Sequence, residues 1–154
     1  MRTLLEEQYA ALADWLDEVP VTEHLTLPVG LGDWTVRELV AHLGLGIGLS
    51  RYVAAAEPGA VPLSLGEYVR AYPPASEQIA EMTREISTRF GDDLVGGFRR
   101  TAAEAFEAIA AVLGEVFRAR RGPITREDYL LTRLLELVVH GDDQTARRPS
   151  TSAF

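Results

Sequence analysis

Near its carboxyl end the chain reads RLLELVVHGDD, Arg133 to Asp143. At about 100° per residue, Arg133, Glu136, His140 and Asp143 share one stripe of a helix. Leu134, Leu135, Leu137, Val138 and Val139 take up the rest of the circumference. A helix that is apolar nearly all round is a buried one, so the polar stripe is expected inside the protein or on a cleft floor. Burying an ionised carboxylate is costly unless a partner compensates it. Glu136 precedes His140 by one turn, which brings both to within about 6 Å on one face and suits two ligands of one metal ion. The alternative is a Glu–His hydrogen bond on a partly exposed face.

The rest of the chain repeats the helical period. Leu4, Leu5, Tyr9, Leu12, Trp15 and Leu16 predict an amphipathic helix over residues 3–18. Residues 19–34, with Pro20, Pro28, Gly30 and Gly32, read as a loop. Thr35-Val-Arg-Glu38 fits a capping box, in which hydroxyl and carboxylate each satisfy a free backbone N–H. A second helix is expected from there to about residue 56. Residues 57–73 are Pro-rich and leave room for one short helical turn. Helix is expected again over 75–89 and 93–117, either as two helices or as one broken at Gly91, and RARRGP reads as a turn. Thr125 caps the last helix, and residues 147–154 read as a flexible tail after a domain spanning 1–146. No segment shows strict alternation with β-branched enrichment. The expected class is all-α, a helical bundle with one extra short helix.

Composition narrows the chemistry. A chain of 154 residues, 47% hydrophobic and 25% charged, suits one ordinary globular domain. The formal charge of −8 argues against nucleic acid, whose phosphates require a basic surface. All 15 basic residues are Arg, which excludes Schiff-base and phosphate-loop lysines. The absence of Cys excludes disulfides, thiolate metal sites and a cysteine nucleophile; any thiol chemistry needs an external thiol. The N-terminus mixes Glu, Gln and Asp into its apolar pattern, unlike a signal peptide. No apolar run approaches the ~18 residues of a membrane span. A soluble, cytoplasmic protein is expected.

Only three histidines occur, His24, His42 and His140. His24, in a loop beside Glu23, reads as solvated. His42 lies mid-helix among Leu39, Val40, Ala41 and Leu43; alone it would read as a satisfied core histidine. Together with Glu136 and His140 it supplies the ligand count of a catalytic zinc site with positions left for water. Imidazole and carboxylate would also admit Ni²⁺ or Fe²⁺.

Gly46 follows His42 by one turn, flanked by Gly44 and Gly48. Gly46 either clears space above His42 for a ligand or serves close helix packing. Trp34 either lines a pocket or staples the loop to the core. Arg133 either binds a substrate carboxylate or pairs with Glu136 or Asp143. Asp143 reads as support for His140, as a protein-derived fourth ligand, or as a solvated helix-end carboxylate.

GDWTVRELVAHLG (Gly32–Gly44) and RLLELVVHGDD resemble the two signature stretches of the DinB-like superfamily, and within it the mycothiol-dependent maleylpyruvate isomerase N-terminal-domain family. The resemblance implies a four-helix bundle that binds a divalent metal, usually zinc, through His42, Glu136 and His140. It implies mycothiol, a low-molecular-weight thiol, as cosubstrate, its pKa lowered by the metal. The thiolate then adds to a small electrophile, for S-transfer or for isomerisation by bond rotation and elimination. The isomerase proper carries a C-terminal domain that helps form its active site, whereas this chain ends at Phe154. A thiol S-transferase acting in detoxification, or a member with another substrate, is therefore expected more than the maleylpyruvate isomerase itself. The reading from another class is a non-catalytic metal-binding or regulatory bundle with a closed site. Relatives often form homodimers, although no stripe here announces an interface.

Overall fold

The first apolar run folds as α1, Arg2–Glu18, with Leu5, Tyr9, Ala13 and Leu16 buried along one stripe. The computed structural model describes residues 1–18, 21–29, 33–71 and 76–145, those at 22, 76 and 140–145 by backbone alone. The expected tail at 147–154 lies outside them. Helix accounts for 69% of the structure, so the helical class holds. Among the described residues there are six helices, with α2 at Val36–Gly48, α3 at Leu65–Arg70, α4 at Ser76–Phe90, α5 at Leu94–Ala111 and α6 at Arg126–Thr145.

The capping box at the start of α2 is formed: Thr35 N donates to Glu38 Oε2 at 2.8 Å and Glu38 N to Thr35 Oγ1 at 3.4 Å. From Leu39 to Leu45 every residue of α2 is buried, because the helix runs through the middle and packs on α4, α5 and α6. Two glycines permit that approach. A Cβ on Gly44 would stand 2.9 Å from Phe90 Cζ on α4, and one on Gly48 would stand 2.6 Å from Thr101 Cγ2 on α5. Gly91, at φ +56°, separates α4 from α5, and Asp93 caps the new helix by accepting from Gly96 N. These are therefore two helices. The short turn expected within 57–73 is α3, which opens on its own capping box, Ser64 with Glu67.

The all-helical expectation requires a correction. A three-stranded antiparallel sheet in the order β1-β2-β3 is formed by β1 (Ala54–Ala55), β2 (Val116–Ala119) and β3 (Gly122–Thr125). Thus α2 stops at Gly48, passes through a 3₁₀ turn at Leu49–Tyr52 and ends in β1, and does not run to residue 56. Likewise α5 ends at Ala111 and not at 117. Gly114 and Gly122 take φ +99° and +126°, where only glycine is comfortable. Next to these turns Phe117 pairs with Ile124, and both are fully buried. Arg126 holds this corner. Its guanidinium donates to the carbonyls of Ile109, Val112 and Gly114 at the end of α5, and stacks over Phe117 at 4.7 Å. Pro123 falls in edge strand β3, where a missing N–H is tolerated.

One cluster of buried side chains runs through all six helices and the hairpin. None of the described helices is long and apolar enough to cross a membrane.

Candidate functional site

Because the capping box sets where α2 begins, it also sets which way His42 faces. The imidazole is 9% exposed and is contacted from three elements. Nδ1 lies 3.4 Å from Thr83 Oγ1 on α4. Thr83 is itself buried, and its hydroxyl hydrogen is directed to the Ile79 carbonyl at 2.8 Å. Its oxygen therefore meets the ring as an acceptor, which places a proton on Nδ1 and leaves Nε2 facing Glu136. Nε2 lies 3.7 Å from Glu136 Oε2 on α6. The Trp34 ring sits edge-on against His42, with centroids 4.8 Å apart at 61°.

The His42–Glu136 separation is longer than a hydrogen bond. Donors bound at 2.0–2.2 Å around one tetrahedral ion stand about 3.4 Å apart, so the two atoms are spaced as donors that can share a divalent cation. An imidazole whose second nitrogen is hydrogen-bonded, beside a partly exposed carboxylate, is also the arrangement that suits ligands of such an ion. His140 follows Glu136 by one turn of α6, and Asp143 lies one further turn on. Both side chains lie outside the described residues. Among the described residues no group of three His, Asp or Glu gathers.

Arg133 does something the sequence did not suggest. It is 3% exposed; Nη1 donates to the Gly46 carbonyl at 2.8 Å and Nε to Thr132 Oγ1 at 3.1 Å. Its guanidinium lies over the Tyr129 ring at 5.4 Å. It straps α6 to α2 and so holds the register that brings Glu136 opposite His42. Of the three glycines in α2, only Gly46 has open space at its Cβ position, with nothing within 4 Å. The packing account therefore fits Gly44 and Gly48, whereas Gly46 has no close neighbour. Trp34 does two things: its carbonyl accepts from Val29 N at 2.9 Å, pinning the loop, while its ring covers His42.

The expectation that α6 is buried all round is corrected. Leu135, Val138 and Val139 are 46–58% exposed, while Arg133 and Leu137 are inside. Arg133 and Glu136 lie on the covered side of the helix, against α1, α2, α3 and the sheet. His24 is exposed, as expected of a solvated residue.

Two side chains near the pair had no signal in the sequence, Thr83 and Tyr9. Tyr9 is buried and its hydroxyl donates to the Leu43 carbonyl at 3.3 Å. Burial pushes the Tyr9 phenol well above its ordinary value; Arg133 pulls it down, and Glu136 and Tyr129 push it up. One turn from Glu136, α6 also borders a cavity of about 490 Å³, shared with the β2–β3 hairpin, α3, α4 and the 3₁₀ turn.

A family model described as the mycothiol maleylpyruvate isomerase N-terminal domain matches residues 5–144. The chain belongs to that family. The match covers both ends of the site, from Tyr9 on α1 to the last turns of α6, and agrees with the resemblance carried by the two signature stretches. Comparisons with curated proteins and with solved structures found no significant match.

Proposed function

We propose that the chain is a divalent-metal-dependent enzyme that activates a low-molecular-weight thiol, mycothiol by family, for S-transfer to a small electrophile or for its isomerisation. The observation that carries the proposal is the His42–Glu136 pair at 3.7 Å, with Thr83 holding Nδ1 so that Nε2 faces that side. His42, Glu136 and His140 would hold the metal on the helical bundle, zinc fitting the imidazole and carboxylate set and Ni²⁺ or Fe²⁺ being admitted by it. When bound, the metal lowers the thiol's pKa so that a thiolate is present at neutral pH. A chain without Cys needs such a borrowed nucleophile.

The chain's own residues supply the surroundings. Thr83 holds a proton on His42 Nδ1, Trp34 shields its ring from water, and Arg133 keeps α2 and α6 in register. Gly46 leaves room for a thiol above His42. In S-transfer the sulfur–carbon bond formed with the electrophile is retained; in isomerisation the adduct rotates about the weakened bond and expels the thiolate. A regulatory bundle with a closed site is supported less well, since nothing lies within 4 Å of a Cβ at Gly46 and Arg133, one turn from Glu136, borders a cavity.

The test is a conjugation assay with mycothiol and a panel of electrophiles, run on the zinc-loaded chain and on Glu136→Gln. Thiol consumption by the wild type and its loss in the variant is the expected result. Thiol consumption at equal rates by both would contradict the proposal.

A further inference from the structure

The cavity bordered by α6 and the hairpin is lined by four arginines, Arg118, Arg120 and Arg121 from the β2–β3 hairpin and Arg133 from α6. That is a concentration of positive charge in a chain whose net charge is −8. Elsewhere, Arg2, Arg51, Arg84, Arg99 and Arg100 each have a carboxylate within ion-pair distance. Among the described residues no carboxylate pairs with Arg118 or Arg120. Arg120 spends its donors on neutral groups, Gln78 Oε1 at 2.8 Å and Met82 Sδ at 3.3 Å, both readily exchanged for an anion.

The facing wall is of opposite character. Tyr68 and Tyr129 are 1% and 3% exposed over the whole residue and line the cavity together with Met82 and Leu49. The Tyr129 hydroxyl is engaged by Ser50 Oγ at 3.0 Å and its ring lies under the Arg133 guanidinium, so the open apolar surface comes from Tyr52, 67% exposed, with Leu49 and Met82. A volume of about 490 Å³ falls in the range of small-molecule sites, roughly 300–1,000 Å³.

We propose that this cavity binds an amphipathic organic anion, its charged group held by Arg118 and Arg120 and its apolar body lying against Leu49, Tyr52 and Met82. The guanidinium fork matches carboxylate, sulfonate and phosphate oxygens alike, and the apolar wall selects an organic anion over a bare inorganic one. Because Arg133, one turn of α6 before Glu136, lines this cavity, the inference rests on the proposed function and specifies its electrophile as a negatively charged molecule with an apolar or aromatic body.

The experiment is calorimetric titration of the full chain at low ionic strength with naphthalene-2-sulfonate, its neutral sulfonamide analogue and inorganic sulfate. The same titrations are run on Arg118→Gln/Arg120→Gln, two exposed positions, with circular dichroism and zinc content measured alongside. The sulfonate is expected to bind at least about tenfold more tightly than either comparison probe, and to lose about tenfold in the double variant, the worth of a charge-assisted hydrogen bond. Equal binding of sulfonate and sulfonamide by the wild type overturns the proposal whether or not the variant folds. Equal binding of sulfate and sulfonate overturns it too, and so does unchanged affinity in a folded variant. The two readings fail separately. Anion selectivity without zinc binding sinks the metal-dependent enzyme and leaves the anion site standing; zinc binding without anion selectivity does the reverse.

Discussion

Thr83 directs its hydroxyl hydrogen to the Ile79 carbonyl and so faces His42 Nδ1 as an acceptor. That hydrogen bond places a proton on Nδ1 and leaves Nε2 facing Glu136. Thr83→Val keeps the shape and removes the acceptor. Zinc affinity is expected to fall about 10–100-fold, the usual cost of losing a ligand's outer hydrogen bond, while Thr83→Ser retains it; competition with a chromophoric chelator measures both. His42 and Glu136 were legible in the sequence because each breaks an apolar run where a charge or imidazole needs a reason. Thr83 was not, since a threonine in an amphipathic helix is ordinary and only the packing of α4 on α2 gives it a partner. The glycines divide in the same way. Gly46→Ala meets open space and is expected to stabilise the fold by up to about 1 kcal/mol through helix propensity. Gly44→Ala runs into the Phe90 ring and is expected to destabilise it. Thermal unfolding of the two variants distinguishes them.

Among the elements, the hairpin was the least legible. Its strands are four residues each, too short for a period of two to stand out, and Val116-Phe117 continues the apolar spacing of α5. The signal that could have marked the break is glycine, at positions 114 and 122. Arg126 is the other half of the explanation, since it collects the carbonyls left open where α5 stops. Arg126→Leu is expected to cost about 1–3 kcal/mol, the price of leaving part-buried acceptors unsatisfied, with the m-value unchanged in denaturant titration. The strap between α6 and α2 was also unreadable, because whether Arg133 finds a carboxylate or the Gly46 carbonyl depends on helix register. The start of α2, by contrast, was written locally in Thr35 and Glu38.

At the scale of the molecule, one central helix, α2, carries His42 and touches α4, α5 and α6, so the site and the core are built from the same contacts. Tyr9 reports on that arrangement. Its phenol is held above its ordinary value of 10.0 chiefly by burial. A raised folded value means that the stability it contributes is complete below the unfolded value and is lost as pH rises through the folded one. The wild type is therefore expected to lose stability above pH 10, and Tyr9→Phe to lose less, as read by denaturant unfolding at stepped pH. The measurement that bears most directly on the whole is the zinc content of purified, zinc-equilibrated protein after dialysis, for wild type, His42→Ala and Glu136→Gln. One tightly held ion per chain in the wild type, and its loss from both variants with the fold retained, is the predicted result. Wild type without bound zinc, or variants that keep it, would contradict the site.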